Sequence, residues 1–390
     1  MGTSLLDGML GKVRHGQLSR REFIAATGGI LGVSAAVSLL KSVGVDVGQV
    51  PEAMAAPVSQ VGEKRPEDWE RMMYFDCTPF KKDPPWKIAN LSQGPTNAWA
   101  LMLDGHSEYA VEEKYKGLFS DYFYADGQGN AAAQVNAMES LLAQNPDVII
   151  ATPLGAALKG PLERAWDMGI PVIQMQMPYL TDKFLSYING DNYINGYSLA
   201  KWLAEKLGGT GKIVMSSGIP GVDTAEQRLN GAKDCFAKYP GIEILAHAYH
   251  NWSVTEAKKG FEAWVAAFPQ MDGIWADSGF AAMAGMEALA EANRDIPPLV
   301  GDMFNGFLRA AKKFNVDFYA YGYTNAIGAL MVDMAVRAMM GERVERYEFV
   351  SQIEFGKDEI DKYFETDMSD SFLVDYRYPR AWADKQFPKE

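Results

Sequence analysis

Residues 145–174, NPDVIIATPLGAALKGPLERAWDMGIPVIQ, contain the pattern that decides the fold of this chain. The run VIIA at 148–151 is short and fully apolar, as expected of a strand in a parallel sheet that is covered on both faces. Residues 158–168 have helical periodicity, and residues 171–174 form a second short apolar run. A strand, a helix and a strand in this order indicate a βαβ unit and therefore an α/β fold.

The same alternation continues on both sides of this unit. Upstream, the pattern predicts strands at 87–92 and 118–125 and helices at 97–116 and 131–144. Downstream it predicts a strand at 184–188 and then restarts, with helices at 193–207, 225–238, 255–268, 283–292, 306–314 and 327–340 and strands at 212–216, 242–248, 274–276, 298–301 and 318–321. Two successive runs of such units, each over 100 residues, imply two similar lobes.

Composition excludes several classes of protein. The 390 residues are 48% hydrophobic and 22% charged, which is ordinary for a globular protein. The net charge of -13 argues against nucleic acid, because phosphate binding requires concentrated Lys and Arg. Cys77 and Cys235 belong to no CxxC motif or Cys/His cluster, so no metal site is expected. We predict that both cysteines are buried free thiols, and a disulfide between them is the alternative.

The N-terminus resembles an export signal. Lys12 and Arg14 precede the paired arginines Arg20 and Arg21, and an apolar run then extends to Leu40. Paired arginines at this place are typical of the twin-arginine type of signal. Ala53-Met54-Ala55 has the small-x-small pattern of a cleavage site, so that residues 1–55 form the signal peptide and the mature chain begins near residue 56.

An uncleaved membrane anchor is the alternative, because about 18 apolar residues can just span a bilayer. No cysteine stands directly after the apolar run, which excludes a lipoprotein. A carrier without a lipid needs an outer membrane to retain it, so the expected location is a periplasm. Residues 56–86 are polar and rich in proline, and we predict a surface leader there.

Several segments together resemble the periplasmic sugar-binding proteins of the ribose-binding type. They are NPDVIIATP at 145–153, GIPVI at 169–173, NGDNYINGYSLAKWLAEKL at 189–207, GKIVMSSGIPG at 211–221, TAEQRLNGAKDCF at 224–236 and NWSVTEAKKGFEAW at 251–264. The similarity runs from about Lys87 to Ile353, and it is the order and spacing of the segments that make it specific.

This resemblance implies two Rossmann-like lobes with parallel sheets, joined by three crossover strands near Asp191, 321–323 and Ile353 (type I periplasmic binding protein). The N-terminal lobe would comprise 87–190 and 323–350. The C-terminal lobe and tail would comprise 191–322 and 351–390. Ligands of open parallel sheets bind outside the carboxyl ends of the strands, which places the site in the cleft between the lobes.

A sugar requires aromatic faces for its C–H surfaces and planar polar side chains for its hydroxyls. On the first lobe, the resemblance assigns this role to Asn97, Trp99 and Gln176, with core packing as the alternative for Trp99. The family commonly has an Asp followed by an Arg where this chain has Gln176-Met177. The departure suggests a ligand other than ribose in the familiar pose.

On the second lobe, Glu226 and Arg228 lie where the family places an Arg that reaches the ligand. Asp223-x-x-Glu226 also has the form of a capping box, so capping is the alternative for Glu226. Arg228 alternatively braces the lobe.

Trp252 matches the aromatic residue that stacks on the ligand from the second lobe. Asp277 and Ser278 follow one predicted strand, and Asp302 and Asn305 follow the next, so all four are ligand candidates with helix N-capping as the alternative. Tyr321 and Tyr323 bracket a crossover and are interpreted as ligand or hinge residues.

The resemblance implies a monomeric, non-enzymatic solute-binding component of an ABC importer, which captures a sugar or polyol by hinge closure and delivers it to permease subunits. No cofactor is implied. A separate ATPase is expected, since the chain has no G-x-x-x-x-G-K-[ST] loop. His247 and His250 have no catalytic context, and an export signal stands where a repressor would carry its helix-turn-helix. A sensor that delivers its ligand to a chemoreceptor or kinase remains the alternative.

Overall fold

The computed structural model describes residues 73–177, 180–374 and 382–384. The chain divides into two compact units, Met1–Asp76 and Cys77–Glu390. The first unit contributes one described strand, β1 (Tyr74–Asp76). The signal peptide predicted over 1–55 lies outside the described residues, and so do residues 56–72 of the predicted leader.

The first lobe of the second unit alternates strands and helices from Trp86 onward. Its elements are β2 (Trp86–Ser92), α1 (Ala98–Tyr109), β3 (Phe119–Asp126), α2 (Ala131–Leu142), β4 (Val148–Ala151), α3 (Lys159–Asp167), β5 (Val172–Gln174) and β6 (Ser186–Asn189). All four residues of β4 are buried, because helices cover both faces of the sheet. The pairs β2–β3, β2–β4, β4–β5 and β5–β6 are all parallel.

The second lobe repeats the arrangement. Its elements are α4 (Asn192–Lys206), β7 (Thr210–Ser217), α5 (Asp223–Phe236), β8 (Gly241–Tyr249), α6 (Val254–Ala267), β9 (Gly273–Ala276), α7 (Gly279–Glu291), β10 (Leu299–Gly301), α8 (Asn305–Phe314) and β11 (Phe318–Tyr323). The remaining elements are α9 (Ile327–Met339), β12 (Arg343–Glu345), β13 (Tyr347–Phe349), β14 (Gln352–Gly356) and α10 (Ile360–Tyr363).

The strand order shows how the chain passes between the lobes. The first sheet has the order β3-β2-β4-β5-β6-β13, and the second has the order β8-β7-β9-β10-β11-β14. The chain therefore crosses between the sheets at 190–191, 324–326 and 350–351. β14 is antiparallel to β11, whereas the other pairs of the second sheet are parallel. The predicted fold class, two lobes with parallel-dominated sheets, is confirmed.

The structure corrects several predicted boundaries. β2 begins at Trp86, the last residue of the predicted surface leader, and the Trp86 side chain is fully buried. The helix predicted over 97–116 is α-helical only to Tyr109 and continues as a π-helical turn over Ala110–Lys114. β13 was not predicted as a strand, whereas β14 lies where the resemblance placed a crossover strand, near Ile353. Cys77 and Cys235 are both buried, and no disulfide joins them, as predicted for buried thiols.

Within the described ranges, none of the helices has both the length and the apolar character that a membrane span requires.

Candidate functional site

A cavity with about 450 Å³ of empty space, which includes space open to solvent, lies at the carboxyl ends of the strands and is lined by both lobes. The first lobe contributes Gln93, Asn97, Trp99, Met175 and Gln176 to the lining. The second lobe contributes Thr224, Arg228, Trp252, Ser278, Phe280, Asp302 and Phe304, together with Tyr323, which directly precedes the second crossover.

Seven of the ten predicted site residues line this cavity, namely Asn97, Trp99, Gln176, Arg228, Trp252, Ser278 and Asp302. Their convergence follows from the topology, because each lies just beyond the carboxyl end of a strand or on the first turn or two of the helix that follows. Whether they contact a ligand remains a prediction.

Glu226 and Asn305 lie away from the cavity wall. Glu226 Oε1 accepts hydrogen bonds from Gly221 N (2.9 Å) and Tyr249 Oη (2.9 Å). The helix it was expected to cap begins at Asp223, with Val222 as its N-cap and no side-chain cap bond, so the predicted capping box does not form. Asn305 is fully buried at the start of α8, and its amide is directed to the C-terminal segment. Both residues therefore fix the backbone.

Asp277 lies behind the cavity wall, where it positions Trp252. Its Oδ1 accepts a hydrogen bond from Trp252 Nε1 (3.2 Å), and its Oδ2 accepts one from Gly218 N (2.7 Å). The carboxylate is fully buried, so both oxygens are committed to the protein. Asp277 thus holds the indole that was predicted to stack on the ligand.

The indole of Trp252 rests directly on the backbone of Gly218. A Cβ atom at Gly218 would lie 2.0 Å from Trp252 Cε2, so only glycine allows this approach. Asn251 and Trp252 have φ values of 52° and 51°, in the left-handed region that a bulky side chain seldom adopts. Such outliers concentrate at ligand clamps.

The first lobe presents a polar wall beside an aromatic one. Gln176 Nε2 donates to Gln93 Oε1 (2.8 Å), and Gln176 also has a left-handed backbone with φ of 57°. Asn97 is the N-cap of α1, where its Oδ1 accepts from Ala100 N (3.0 Å). Trp99 packs edge-to-face on Tyr323, with ring centroids 6.4 Å apart. Tyr323 therefore belongs to the cavity wall, and it is also the last residue before the second crossover.

Arg228 is the buried cation of the site. Its Nε donates to Asn192 Oδ1 (3.1 Å) and its NH1 donates to the Asp277 carbonyl oxygen (2.7 Å). The guanidinium also lies 4.0 Å from Asp302 Oδ2 and 5.7 Å from the centre of the Tyr323 ring. The guanidinium therefore has two hydrogen bonds, a nearby carboxyl group and an aromatic ring as partners, and it balances negative charge on the second lobe.

Burial raises the pKa of two carboxyl groups beside this cation. The pKa of Asp277 is raised to about 7 and that of Asp302 to about 6, because desolvation outweighs the opposing attraction of Arg228.

Asp302 Oδ1 also accepts a hydrogen bond from Gly279 N (2.5 Å), which fixes the start of α7. Ser278 is the N-cap of that helix and accepts from Ala281 N (3.4 Å). Capping, the alternative weighed for these positions, thus coexists with their place at the cavity.

Two polar atoms of the cavity residues are buried without a hydrogen-bond partner among the described residues. They are Gln176 Oε1 on the first lobe and Thr224 Oγ1 on the second. An unpaired buried polar atom costs about 1–3 kcal/mol, so a hydroxyl group that reached either one would remove that cost. The arrangement suits a ligand with hydroxyls directed to both lobes.

Sequence reasoning missed five wall residues: Gln93, Met175, Thr224, Phe280 and Phe304. Gln93 and Met175 directly follow strands β2 and β5, and Phe280 and Phe304 each lie two residues from a predicted site residue. The signal that could have found these four residues is their position after a strand, whereas Thr224 lies on the first turn of α5 and had no such signal. Within the described residues, no group of His, Cys, Asp and Glu could hold a metal ion.

Comparison with known proteins gives relatives that bind polyols and sugars. The chain is 31% identical over 210 residues to the xylitol-binding protein of Mycolicibacterium smegmatis, covering 53% of this chain and 60% of that protein. It is 21% identical over 237 residues to the ribose import binding protein of Bacillus subtilis, covering 60% of this chain and 77% of that protein.

A solved structure with the same fold is the ABC transporter solute-binding protein from Bacillus halodurans C-125 with bound myo-inositol. It superposes with a TM-score of 0.65 at 20% identity and covers 73% of this chain and 100% of that one. Residues 88–343 match the family described as periplasmic binding protein domain, which is a family of binding proteins. The resemblance predicted from the sequence is thereby confirmed, and the chain belongs to the periplasmic binding protein domain family.

Proposed function

We propose that this chain is the solute-binding component of an ABC importer and that it captures a neutral sugar or polyol between its two lobes. The observation that carries the proposal is the cavity, where indoles from opposite lobes accompany unpaired amide and hydroxyl oxygens. Trp99 and Trp252 would cover the C–H faces of the ligand, while Gln176 and Thr224 would pair with its hydroxyls.

The electrostatics favour a ligand without net charge. Arg228 already has Asp302 and the Asp277 carbonyl within reach, and the carboxylate of Asp277 is committed to Trp252 and Gly218. A charged ligand would have to displace one of these partners and leave a buried charge unpaired, which is costly. The xylitol-binding and ribose-binding relatives agree with a neutral ligand rich in hydroxyls.

The proposed cycle is hinge closure. The crossovers at 190–191, 324–326 and 350–351 would act as the hinge, and closure would bury the ligand between Trp99 and Trp252. The closed form would then present both lobes to membrane permease subunits that work with a separate ATPase. The site would hold its ligand without chemical change, because its polar groups serve to position side chains and pair with hydroxyls.

The test is a thermal-shift screen of the mature chain with xylitol, D-ribose, D-allose and myo-inositol, and with D-xylonate as the charged counterpart of xylitol. A ligand at 100 times its dissociation constant adds about 2.7 kcal/mol of stability. We expect at least one neutral compound to raise the melting temperature and D-xylonate to have no effect. Trp252→Ala should abolish the shift, whereas the matched control Trp202→Ala, which alters a stack on Tyr319 within the second lobe, should keep it. A shift by D-xylonate alone, or one that survives Trp252→Ala, would refute the proposal.

Export by the twin-arginine route is a separate part of the proposal. Replacing Arg20 and Arg21 together by lysine keeps the charge but removes the pair. We expect the variant to stay in the cytoplasm and the unaltered chain to reach the periplasm, as measured by cell fractionation. Periplasmic location of the lysine variant would contradict the assignment.

A further inference from the structure

The segment that follows β14 and α10 extends beyond the second lobe and reaches the first. We propose that this segment, residues 365–374 and 382–384, is a latch that holds the two lobes together and slows release of the bound solute. We call it the C-terminal strap. The inference rests on the proposed function, because a latch affects binding only if the ligand lies between the lobes.

Asn305 and its neighbours on α8 fix the strap to the second lobe. Asn305 Nδ2 donates to the carbonyl oxygens of Glu365 (2.8 Å) and Met368 (2.9 Å), and Asn305 Oδ1 accepts from Glu365 N (3.0 Å). Gly306 N donates to the carbonyl oxygen of Asp370 (3.0 Å), and Arg309 Nε donates to the Asp370 carboxylate (2.7 Å). This dense set of bonds makes the strap an integral part of the second lobe.

Beyond that anchor the strap contacts helix α1 of the first lobe. Leu373 N donates to Met102 Sδ (3.2 Å), and Trp382 Nε1 donates to the carbonyl oxygen of Gly105 (3.1 Å). The Trp382 ring packs edge-to-face on Tyr109, with centroids 5.5 Å apart. Leu373 is 1% exposed, so the contact is a packed interface. The strap therefore connects the lobes in addition to the crossovers.

The strap also supports both walls of the cavity. Phe304, which lines the cavity, forms a β-bridge with Leu373, and Val374 N donates to the carbonyl oxygen of Met303 (2.9 Å). On the other side, helix α1 begins with Ala98 directly after Asn97, and it carries Trp99 on the opposite wall. One element thus joins the Phe304 wall to the helix that presents Trp99.

Hinge opening would have to break these contacts. The crossovers join β6, β11, β13 and β14, which all lie at one edge of each sheet. Separation of the lobes about that edge would pull helix α1 away from the strap. Loss of the Trp382 contacts should therefore favour the open form and accelerate ligand dissociation, which we expect to rise about tenfold.

The test measures the lobe separation with fluorescent labels at Asn136→Cys on α2 and Glu262→Cys on α6. Both positions are exposed, and α2 and α6 follow β3 and β8, the strands at the sheet edges farthest from the crossovers. In the ligand-free protein, Trp382→Ala should shift energy transfer towards longer distances, and Trp382→Phe should give an intermediate shift. Trp202→Ala, which removes an equally half-buried indole from the Tyr319 ring, is the matched control and should give none.

The second readout is dissociation of the tightest-binding compound among xylitol, D-ribose, D-allose and myo-inositol, followed by stopped-flow fluorescence. An unchanged distance distribution in Trp382→Ala, or a shift equal to that of Trp202→Ala, would overturn the latch. If Trp382→Ala fails to fold, Tyr109→Ala removes the same contact from the first lobe. Because the distance measurement needs no ligand, it decides the latch even if none of the compounds binds and the proposed function fails.

Discussion

Gly218→Ala should weaken ligand binding although residue 218 has no side chain in the cavity. The added methyl group would lie 2.0 Å from Trp252 Cε2, 2.3 Å from Nε1 and 2.4 Å from Cζ2. Ordinary contact begins at 3.4 Å, so the indole must retreat by 1.4 Å or more. Since φ of Gly218 lies outside the left-handed region, alanine imposes no backbone strain of its own.

Retreat of the indole breaks the hydrogen bond from Trp252 Nε1 to the Asp277 carboxylate and moves the ring away from the ligand. Displacement of an aromatic anchor of this kind costs about 2 kcal/mol or more, which corresponds to roughly 30-fold in the dissociation constant. Trp252 is half-buried, so the ring can move towards solvent and the ligand-free protein should lose only about 1–2 kcal/mol of unfolding free energy.

Isothermal titration calorimetry of four proteins checks this reasoning: the unaltered chain, Gly218→Ala, Trp252→Ala and the double variant. If Gly218 acts only as the seat of the indole, the double variant should bind as weakly as Trp252→Ala and no more weakly. Additive losses would refute the argument, as would full affinity in Gly218→Ala.

Three further predictions concern the buried groups. Arg228→Met should lower the unfolding free energy at pH 7 by about 3–5 kcal/mol, because it leaves Asp302 and Asp277 without their cation. The loss should be smaller at pH 5, where those carboxyl groups gain protons. Urea titrations at both pH values measure the loss, and an equal loss at the two pH values would contradict the prediction. Because the pKa of Asp277 is raised to about 7, the folded state binds more protons than the unfolded state between pH 4 and 7, and the stability that this carboxyl contributes is lost as pH rises through that window. The unfolding free energy of Asp277→Asn relative to the unaltered chain should therefore increase by at least about 1 kcal/mol from pH 4 to pH 7, and a flat difference would refute the burial argument. Asn305→Ala should cost about 2–3 kcal/mol through its lost bonds to the segment around Glu365, and limited proteolysis should then cut that segment faster than in the unaltered chain.

The sequence was informative wherever a short range of residues determines structure. The run VIIA at 148–151 predicted β4 to the residue, because an apolar tetrapeptide between turn signals has few other uses. In contrast, β13 and β14 contain YEF and QIEFG, whose polar residues give no apolar run. Their strand conformation depends on pairing with β6 and β11, which are distant in the sequence; even the nearest pair, Tyr323 and Gln352, is separated by two crossovers.

The candidate site shows the same division. Position after a strand was enough to predict Ser278 and Asp302 in the cavity, and the family resemblance added Gln176 and Arg228. Position after a strand could not distinguish Asn305 from Asp302, because Asn305 bonds to the backbone of Glu365, which lies 60 residues further along the chain. Likewise, the role of Asp277 depends on Trp252, whose ring reaches it only through a left-handed turn that the local sequence does not encode.

The left-handed backbone at residues 176 and 252 has a consequence for how such a receptor changes its preference. Most side chains without a branch at Cβ bear a similar conformational cost there, so exchanging one for another alters the reach and polarity of the wall while the main chain stays where it is. The two positions are therefore natural places to retune recognition, whether by divergence among paralogues or by deliberate construction of a biosensor on this scaffold.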